Sequence, residues 1–329
     1  MSTHALILAD IEGIAGIFSL GNMEECSKLY TQEIEVCISI LLANGVDKIT
    51  VCDVHDKGDQ IDPKIEQAGY FGKGEVILVS RVDGISFDCK YDFAFLIGFH
   101  GMSNTPGILP HTLRFDFKKI EVIYPQSGID VPIGEVEIYT RWLGSYGIPV
   151  LLVAGDREAV YEANCFNPYR QTCCIKSFFQ TSNFCTATLH KKLSQSFLSS
   201  MQLNKDLCLS PDEGEILIDF HNPDITEALA SKGYQRREDR ILFRSCVDLV
   251  VNLYPLVEHL QQLNQEIWAT NSEFLQTIRA LAKPLNRDAL MKSEIGQLLS
   301  KNLLFLDAAS REKIMNKVQN LIGLQSNDI

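Results

Sequence analysis

Short apolar runs bounded by Gly, Asp and Lys alternate with longer amphipathic stretches through the first 165 residues. A short apolar run of this kind reads as a buried strand, and apolar positions at i, i+3, i+4 and i+7 read as one face of a helix. HALILAD (4–10) predicts a first strand, KITVCDVH (48–55) a second, EVILVS (75–80) a third, YDFAFLIGFH (91–100) a fourth and IPVLLVAGD (148–156) a fifth. A helix is predicted from about Asn22, where Asn22-x-x-Glu25 has the form of a capping box. Its buried stripe is Ile34, Cys37, Ile38, Leu41 and Leu42, and Gly45 supplies a left-handed stop. Strands alternating with helices in this way predict an α/β layered fold, a mostly parallel sheet flanked by helices.

Near residue 170 the pattern changes to a second block: CCIKSFF, a helix around 186–203, strand GEILIDFH (214–221), and RILFRSC leading into a helix near 247–265. From about 266 the strand signals stop and three helical patterns remain, one capped at Asp307 with Ile314, Val318 and Leu321 on one face. Pro284 separates two of these patterns. The expected organisation is a catalytic α/β domain over 1–168, a second, smaller α/β part over 169–265 that completes the site, and an all-helical C-terminal extension over 266–329. No internal repeat or low-complexity segment interrupts it.

Composition narrows the function classes. Apolar residues make up 46% and charged residues 22%, the balance of an ordinary globular protein. A net charge of −12 repels phosphate backbones and anionic lipid surfaces, which argues against nucleic acid as a partner. The start, MSTHALILADIEG, has no basic lead and carries an acid at position 10, so neither signal peptide nor membrane anchor is expected. No apolar run approaches the ~20 residues that a bilayer requires, and a soluble, cytoplasmic protein follows. The ten cysteines are scattered and include no C-x-x-C pair, while the adjacent Cys173 and Cys174 would point to opposite faces of a strand. Reduced, buried thiols are expected, without a disulfide framework or a cysteine zinc site.

Candidate chemistry sits at strand ends. In open parallel sheets, ligands bind beyond the carboxyl ends of the strands. The first strand ends in Asp10-Ile11-Glu12, the second in Asp53-Val54-His55 and the fourth in Gly98-Phe99-His100. Glu135 follows the turn Val131-Pro132-Ile133-Gly134 and opens a helical stretch. Each residue alone has a plainer reading. A strand-end carboxylate is often a helix cap or turn former, and a lone histidine is more often hydrogen-bonded than metal-bound. Together they form a mixed nitrogen and oxygen set suited to zinc or a similar divalent ion. Five protein ligands exceed the three of a catalytic zinc, which points to two ions sharing a carboxylate. Gly13 and Gly16 beside Glu12 suit a backbone in close approach to something else.

At these residues the chain resembles the D-aminopeptidase family of binuclear zinc peptidases, peptidase family M55. The resemblance is carried in order by Asp10-Ile11-Glu12-Gly13-Ile14, Asp53-Val54-His55, Gly98-Phe99-His100, Thr105-Pro106-Gly107 with His111, Gly134-Glu135, and Pro149 to Asp156. It covers roughly residues 4 to 260, weakens after about 180 and leaves out the helical extension. It implies two Zn2+ per chain, with Asp10 bridging, Glu12 and His55 completing one site, and His100 and Glu135 the other. His111 would be the catalytic histidine; apart from the resemblance it reads as a loop histidine beside Pro110. Lys176 would hold a substrate carboxylate or an oxyanion, against the alternative of a solvated strand-end lysine. Asp56 and Pro110 stand where the family commonly has smaller residues, and both border the implied pocket.

The resemblance therefore implies a metallo-aminopeptidase acting on short peptides, including those with an N-terminal D-residue, and assembled as a homo-oligomer, a decameric ring. Two other readings stay open. A two-metal phosphoesterase uses the same ligand types, although no Arg or Lys cluster and no phosphate-binding glycine loop borders the motifs. A non-catalytic metal-binding scaffold would act through its C-terminal helices.

Overall fold

The computed structural model describes residues 2–67, 69–72, 74–124, 127–177, 186–281 and 306–326. The chain forms two compact units: Met1–Leu217 with Phe243–Val251, and Ile218–Leu242 with Asn252–Ile329.

In the first unit lie strands β1 (His4–Ala9), β2 (Lys48–Asp53), β3 (Glu75–Ser80), β4 (Phe93–Phe99), β5 (Phe117–Tyr124), β6 (Ile129–Pro132), β7 (Val150–Asp156) and β8 (Gln171–Lys176). Its helices are α1 (Met23–Ala43), α2 (Glu135–Ser145), α3 (Arg157–Phe166) and α4 (Thr186–Ser200). Six strands make one sheet in the order β3-β2-β1-β4-β7-β8, and every pair is parallel. The mostly parallel α/β sheet read from the sequence is present, and the five strands read there all belong to it.

Alternation and helical period explain the core. Ala5, Ile7, Ala9, Ile49, Val51, Phe93, Phe95 and Ile97 project to one face, where they meet Tyr30, Ile34, Cys37, Ile38 and Leu41 of α1 and Leu189, Leu193 and Phe197 of α4. Burial of each large side chain contributes roughly 1.5–3 kcal/mol, so this layer can offset the cost of burying charged groups at the strand ends. Asn22 caps α1, its side chain accepting from Glu25 N–H, and Gly45 takes φ +85° just past the helix. Every cysteine among the described residues is free.

A second, five-stranded sheet contains the antiparallel pair β5–β6. Its remaining strands are β9 (Glu215–Phe220), β10 (Arg236–Arg237) and β11 (Arg240–Phe243). The β5–β6 pair has no counterpart in the sequence reading: Ile129–Pro132 is short, largely exposed and ends in a proline, and its Val131-Pro132 reads as part of a turn. In the second unit, α5 is Asp224–Ser231 and α7 is Leu253–Leu281, while the short α6 (Cys246–Val251) belongs to the first. The single helix expected near 247–265 is thus divided, since Pro255 has no N–H to bond the Val251 carbonyl four residues back and its ring crowds that carbonyl. The last helix, α8 (Ala308–Ser326), is capped by Asp307, whose Oδ1 accepts from Ser310 N–H at 2.6 Å. Ile314 and Val318 pack with Ile278 and Leu306. The side chain of Leu321 and the helical pattern around Pro284 lie outside the described residues. No helix among the described residues is long and apolar enough to cross a membrane.

The order of the sheet locates its crevice. Strand numbers rise outward from β1 on one side and from β4 on the other, so β1 and β4 form the switch point where a crevice opens. The chain crowds there. Asp10 N–H donates to Ile97 O at 2.9 Å and Gly13 N–H to Gly98 O at 2.7 Å. A Cβ on Gly98, which sits at φ +77°, would lie 2.0 Å from Asp10 O. Gly98→Ala is therefore expected to destabilise the protein by roughly 2–4 kcal/mol, measured as a lower urea midpoint at unchanged slope.

Candidate metal centre

Beyond the carboxyl ends of β1, β2 and β4 the backbone turns and delivers Asp10, Glu12, His55 and His100 to one place. The Gly134–Glu135 turn brings in Glu135, and the loop after His100 brings in His111. Three groups have ligand-type atoms within 4.8 Å of one another: Asp10, Glu12 and His55; Asp10, His100 and Glu135; Glu12, His100 and His111. Asp10 belongs to the first two. His55 Nδ1 lies 3.1 Å from Glu12 and 3.8 Å from Asp10, while His100 Nε2 lies 3.3 Å from Asp10 and 3.2 Å from Glu135. The cluster is almost dry, with Asp10, Glu12 and His100 each 2% exposed.

Hydrogen bonds orient the imidazoles. His100 Nδ1 meets Gly101 O at 3.0 Å and His111 Nδ1 meets Leu109 O at 3.0 Å. Only a protonated Nδ1 can donate to a carbonyl, so each neutral ring turns the Nε2 lone pair inward. His111 Nε2 faces Glu12 at 3.7 Å and Glu135 at 4.0 Å.

Each delivering loop is held by a buried ionisable side chain. Asp53 accepts from His55 N–H, Gln60 N–H and the Tyr30 hydroxyl, which fixes the turn carrying His55. Asp156 caps α3 through Ala159 N–H at 2.8 Å and accepts from Gly101 N–H at 3.1 Å, fixing the backbone next to His100. Glu162 of α3 accepts from Gly134 N–H at 2.8 Å and Glu137 N–H at 3.1 Å, replacing the missing cap of α2 at the turn that carries Glu135. Glu33 accepts from Ala15 N–H at 3.1 Å. Lys176 is 1% exposed, and its Nζ donates to Glu12 O and to Ile17 O.

Backbone strain collects in the loop after β4, where Asn104, Leu109 and Leu113 all have positive φ. Such conformations cost about 1–3 kcal/mol each and persist where surrounding contacts impose them. One such contact is visible: Leu113 N–H donates to Glu135 at 2.7 Å.

Electrostatics follow from this crowding. Burial, then the charge of Glu12, pushes the Asp10 carboxyl well above its ordinary range. Burial opposes ionisation of Glu12 and Glu135 as well, but the imidazoles of His55 and His100 outweigh it at Glu12, and those of His100 and His111 at Glu135, so both are held low. Burial likewise disfavours a charged His55, yet Glu12 and Asp10 raise it to about 9. Burial and His100 lower His111, which favours its neutral, proton-accepting form. Burial lowers Lys176 to about 8 against the pull of Asp156 and Glu12.

The residues suit a divalent cation. Asp10 Oδ2 and His100 Nε2 are buried without a hydrogen-bond partner among the described residues. Unsatisfied buried groups of this kind are costly unless something electropositive meets them. Three carboxylates and three inward-facing imidazoles form a hard and borderline donor set appropriate to zinc.

All six residues singled out for metal binding and catalysis meet here, and Lys176 stands behind the loop of Glu12. The supporting side chains Glu33 and Glu162 were not visible beforehand, because acids inside amphipathic helices read as solvent-facing. Asp53 and Asp156 carried a signal as the last charged residues of apolar strands. Of the other histidines, His4 is buried and bonded to Thr50 Oγ1 at 2.9 Å, His259 meets the Tyr234 hydroxyl at 3.0 Å, and His190 and His221 are exposed.

The sequence model of peptidase family M55, described as D-aminopeptidase, matches residues 4–256. A curated D-aminopeptidase of Bacillus subtilis (strain 168) is 27% identical over 227 residues, 65% of this chain and 80% of that protein. A solved structure, the Zn-dependent D-aminopeptidase DppA from Bacillus subtilis, described as a self-compartmentalizing protease, superposes with a TM-score of 0.65 at 24% identity. The superposition covers 77% of this chain and 97% of that one, and it shows a shared fold.

Burial raises the Glu162 carboxyl from 4.5 to about 8. The folded protein therefore binds this proton more tightly than the unfolded chain. Stability from the neutral acid is complete below pH 4.5 and is lost as pH rises through about 8. Glu162→Gln keeps an oxygen acceptor for Gly134 and Glu137 without the titration. The expected result is a shallower decline of melting temperature between pH 5 and 9 than in the wild type, measured by calorimetry.

Proposed function

This chain belongs to peptidase family M55, the D-aminopeptidases, and is therefore a peptide-bond hydrolase; from that premise we propose that it is a zinc aminopeptidase of short peptides, including those with an N-terminal D-residue. The observation that carries the reading is the convergence of Asp10, Glu12, His55, His100 and Glu135 from separate loops onto one buried point, with Asp10 common to two ligand groups. The zinc dependence of the structural relative supports the choice of metal.

In this proposal Glu12 and His55 would hold one zinc ion and His100 and Glu135 a second, with Asp10, common to both ligand groups, serving the two. When bound, the ions supply Lewis acidity toward the scissile carbonyl and toward water. The chain's own residues do the rest. His111 is the catalytic histidine: its Nε2 faces the cluster, its Nδ1 is anchored on Leu109 O, and its depressed basicity leaves it free to take a proton and pass it to the leaving amine. Burial of the centre excludes bulk water and strengthens each electrostatic contact. Lys176 supports the scheme through the backbone of Glu12, whose loop its ammonium holds. The catalytic set lies within residues 4–256, the span matched by the family, and helical residues follow beyond that span. Assembly of several copies around the site is part of the proposal, in keeping with the self-compartmentalizing relative, and it would limit substrates to small or unfolded peptides.

Two measurements test it. Metal analysis of the purified protein should give about two divalent ions per chain, falling toward zero in Asp10→Ala, because a bridging ligand serves both ions. With D-alanyl p-nitroanilide, His111→Ala should lower kcat by about 10²–10³ while the metal content is retained. Turnover of p-nitrophenyl phosphate without turnover of the anilide would sink the peptidase reading.

A further inference from the structure

The rings of His100 and His111 stack at a centroid distance of 4.2 Å and an interplanar angle of 10°, and Phe115 continues the stack on His111 at 4.3 Å and 22°. The stack runs from inside to outside. His100 is 2% exposed, His111 8% and Phe115 57%. The backbone that carries its outer member is tied down on either side. Leu113 N–H is held by Glu135, Arg114 pairs with Asp116, and Phe117 N–H returns to Arg114 O at 3.1 Å. A large apolar ring is thereby kept in water beside a centre composed otherwise of buried charged and imidazole groups.

From this geometry we infer that Phe115 is a specificity-determining residue, the platform for an apolar side chain of one of the two residues flanking the scissile bond. The inference rests on the peptidase reading. The free face of Phe115 lies one van der Waals contact beyond the 4.3 Å that separates its ring from that of His111, a distance spanned by one residue advance of about 3.3–3.6 Å in an extended peptide together with the length of an apolar side chain. A substrate with its scissile carbonyl at His111 Nε2 therefore brings an adjacent side chain over Phe115. Water leaves both surfaces on contact, and the substrate gains apolar burial that alanine cannot match. Stacking on His111 holds the platform at a fixed distance from the reacting bond, so selectivity for that side chain is coupled to correct placement for reaction.

The test compares zinc-loaded wild type, Phe115→Ala and Phe115→Leu on the dipeptides Ala-Ala, Leu-Ala, Phe-Ala, Ala-Leu and Ala-Phe, in the stereochemistry the wild type accepts. Wild type should favour large apolar side chains at one of the two positions. In Phe115→Ala that preference, as a ratio of kcat/KM against Ala-Ala, should fall about tenfold, chiefly through KM. Phe115→Leu should be intermediate. Zinc content and urea midpoint, measured on each variant, should match the wild type. A uniform loss in kcat on every dipeptide would show that Phe115 only steadies His111 and would overturn the inference, as would unchanged selectivity or loss of zinc. Absence of any turnover by wild type would instead overturn the peptidase reading, and this one with it.

Discussion

Three carboxylates share a nearly waterless point at the switch between β1 and β4, and the rest of the first unit is arranged around the cost of keeping them there. Asp10, Glu12 and Glu135 repel one another in surroundings where water does little to screen them. Their neighbours are the imidazoles of His55 and His100, and Asp10 Oδ2 and His100 Nε2 still lack a hydrogen-bond partner among the described residues. A divalent cation answers both the net negative charge and the unmet lone pairs. The apolar layers of the parallel sheet supply the free energy that lets such a cluster stay buried.

Precision comes from the backbone as much as from the ligands. Metal-type side chains at strand ends sit on loops, and loops are mobile unless held. Here a buried ionisable side chain holds each one: Asp53 the turn of His55, Asp156 the segment after His100, Glu162 the start of α2, and Glu33 with Lys176 the loop of Glu12. Glu33 and Lys176 grip the same loop through opposite polarities, one accepting an N–H and the other donating to carbonyls. The strained backbone at Leu109 and Leu113 fits the same picture, since the loop bearing His111 is bent to place Leu113 N–H on Glu135.

Glycine makes the convergence possible. Gly13 and Gly98 let the ends of β1 and β4 approach until a methyl group would have no room, and Gly98 also takes a left-handed backbone. Larger residues there would separate the two strand ends and with them Asp10 from His100.

The sequence by itself determined the parallel sheet and the residues at its strand ends. Local alternation, helical spacing and capping at Asn22 and Asp307 are written in short windows, and parallel strands buried on both faces leave long apolar runs. The ordered pieces from Asp10-Ile11-Glu12 to Gly134-Glu135 pointed to a metal centre because ligand chemistry admits few residue types. Tertiary structure alone decided the rest. The antiparallel β5–β6 pair is hidden because β6 is short and ends in a proline, so that locally it reads as a turn. The break before α7 depended on how a single proline falls within a helical pattern. The roles of Glu33, Glu162 and Lys176 could not be read from spacing: a charged side chain in a helix or at a strand end reads as solvated until the fold removes the water. The stack from His100 through His111 to Phe115 likewise depends on how one loop returns across the sheet edge, a matter of long-range packing and not of local pattern.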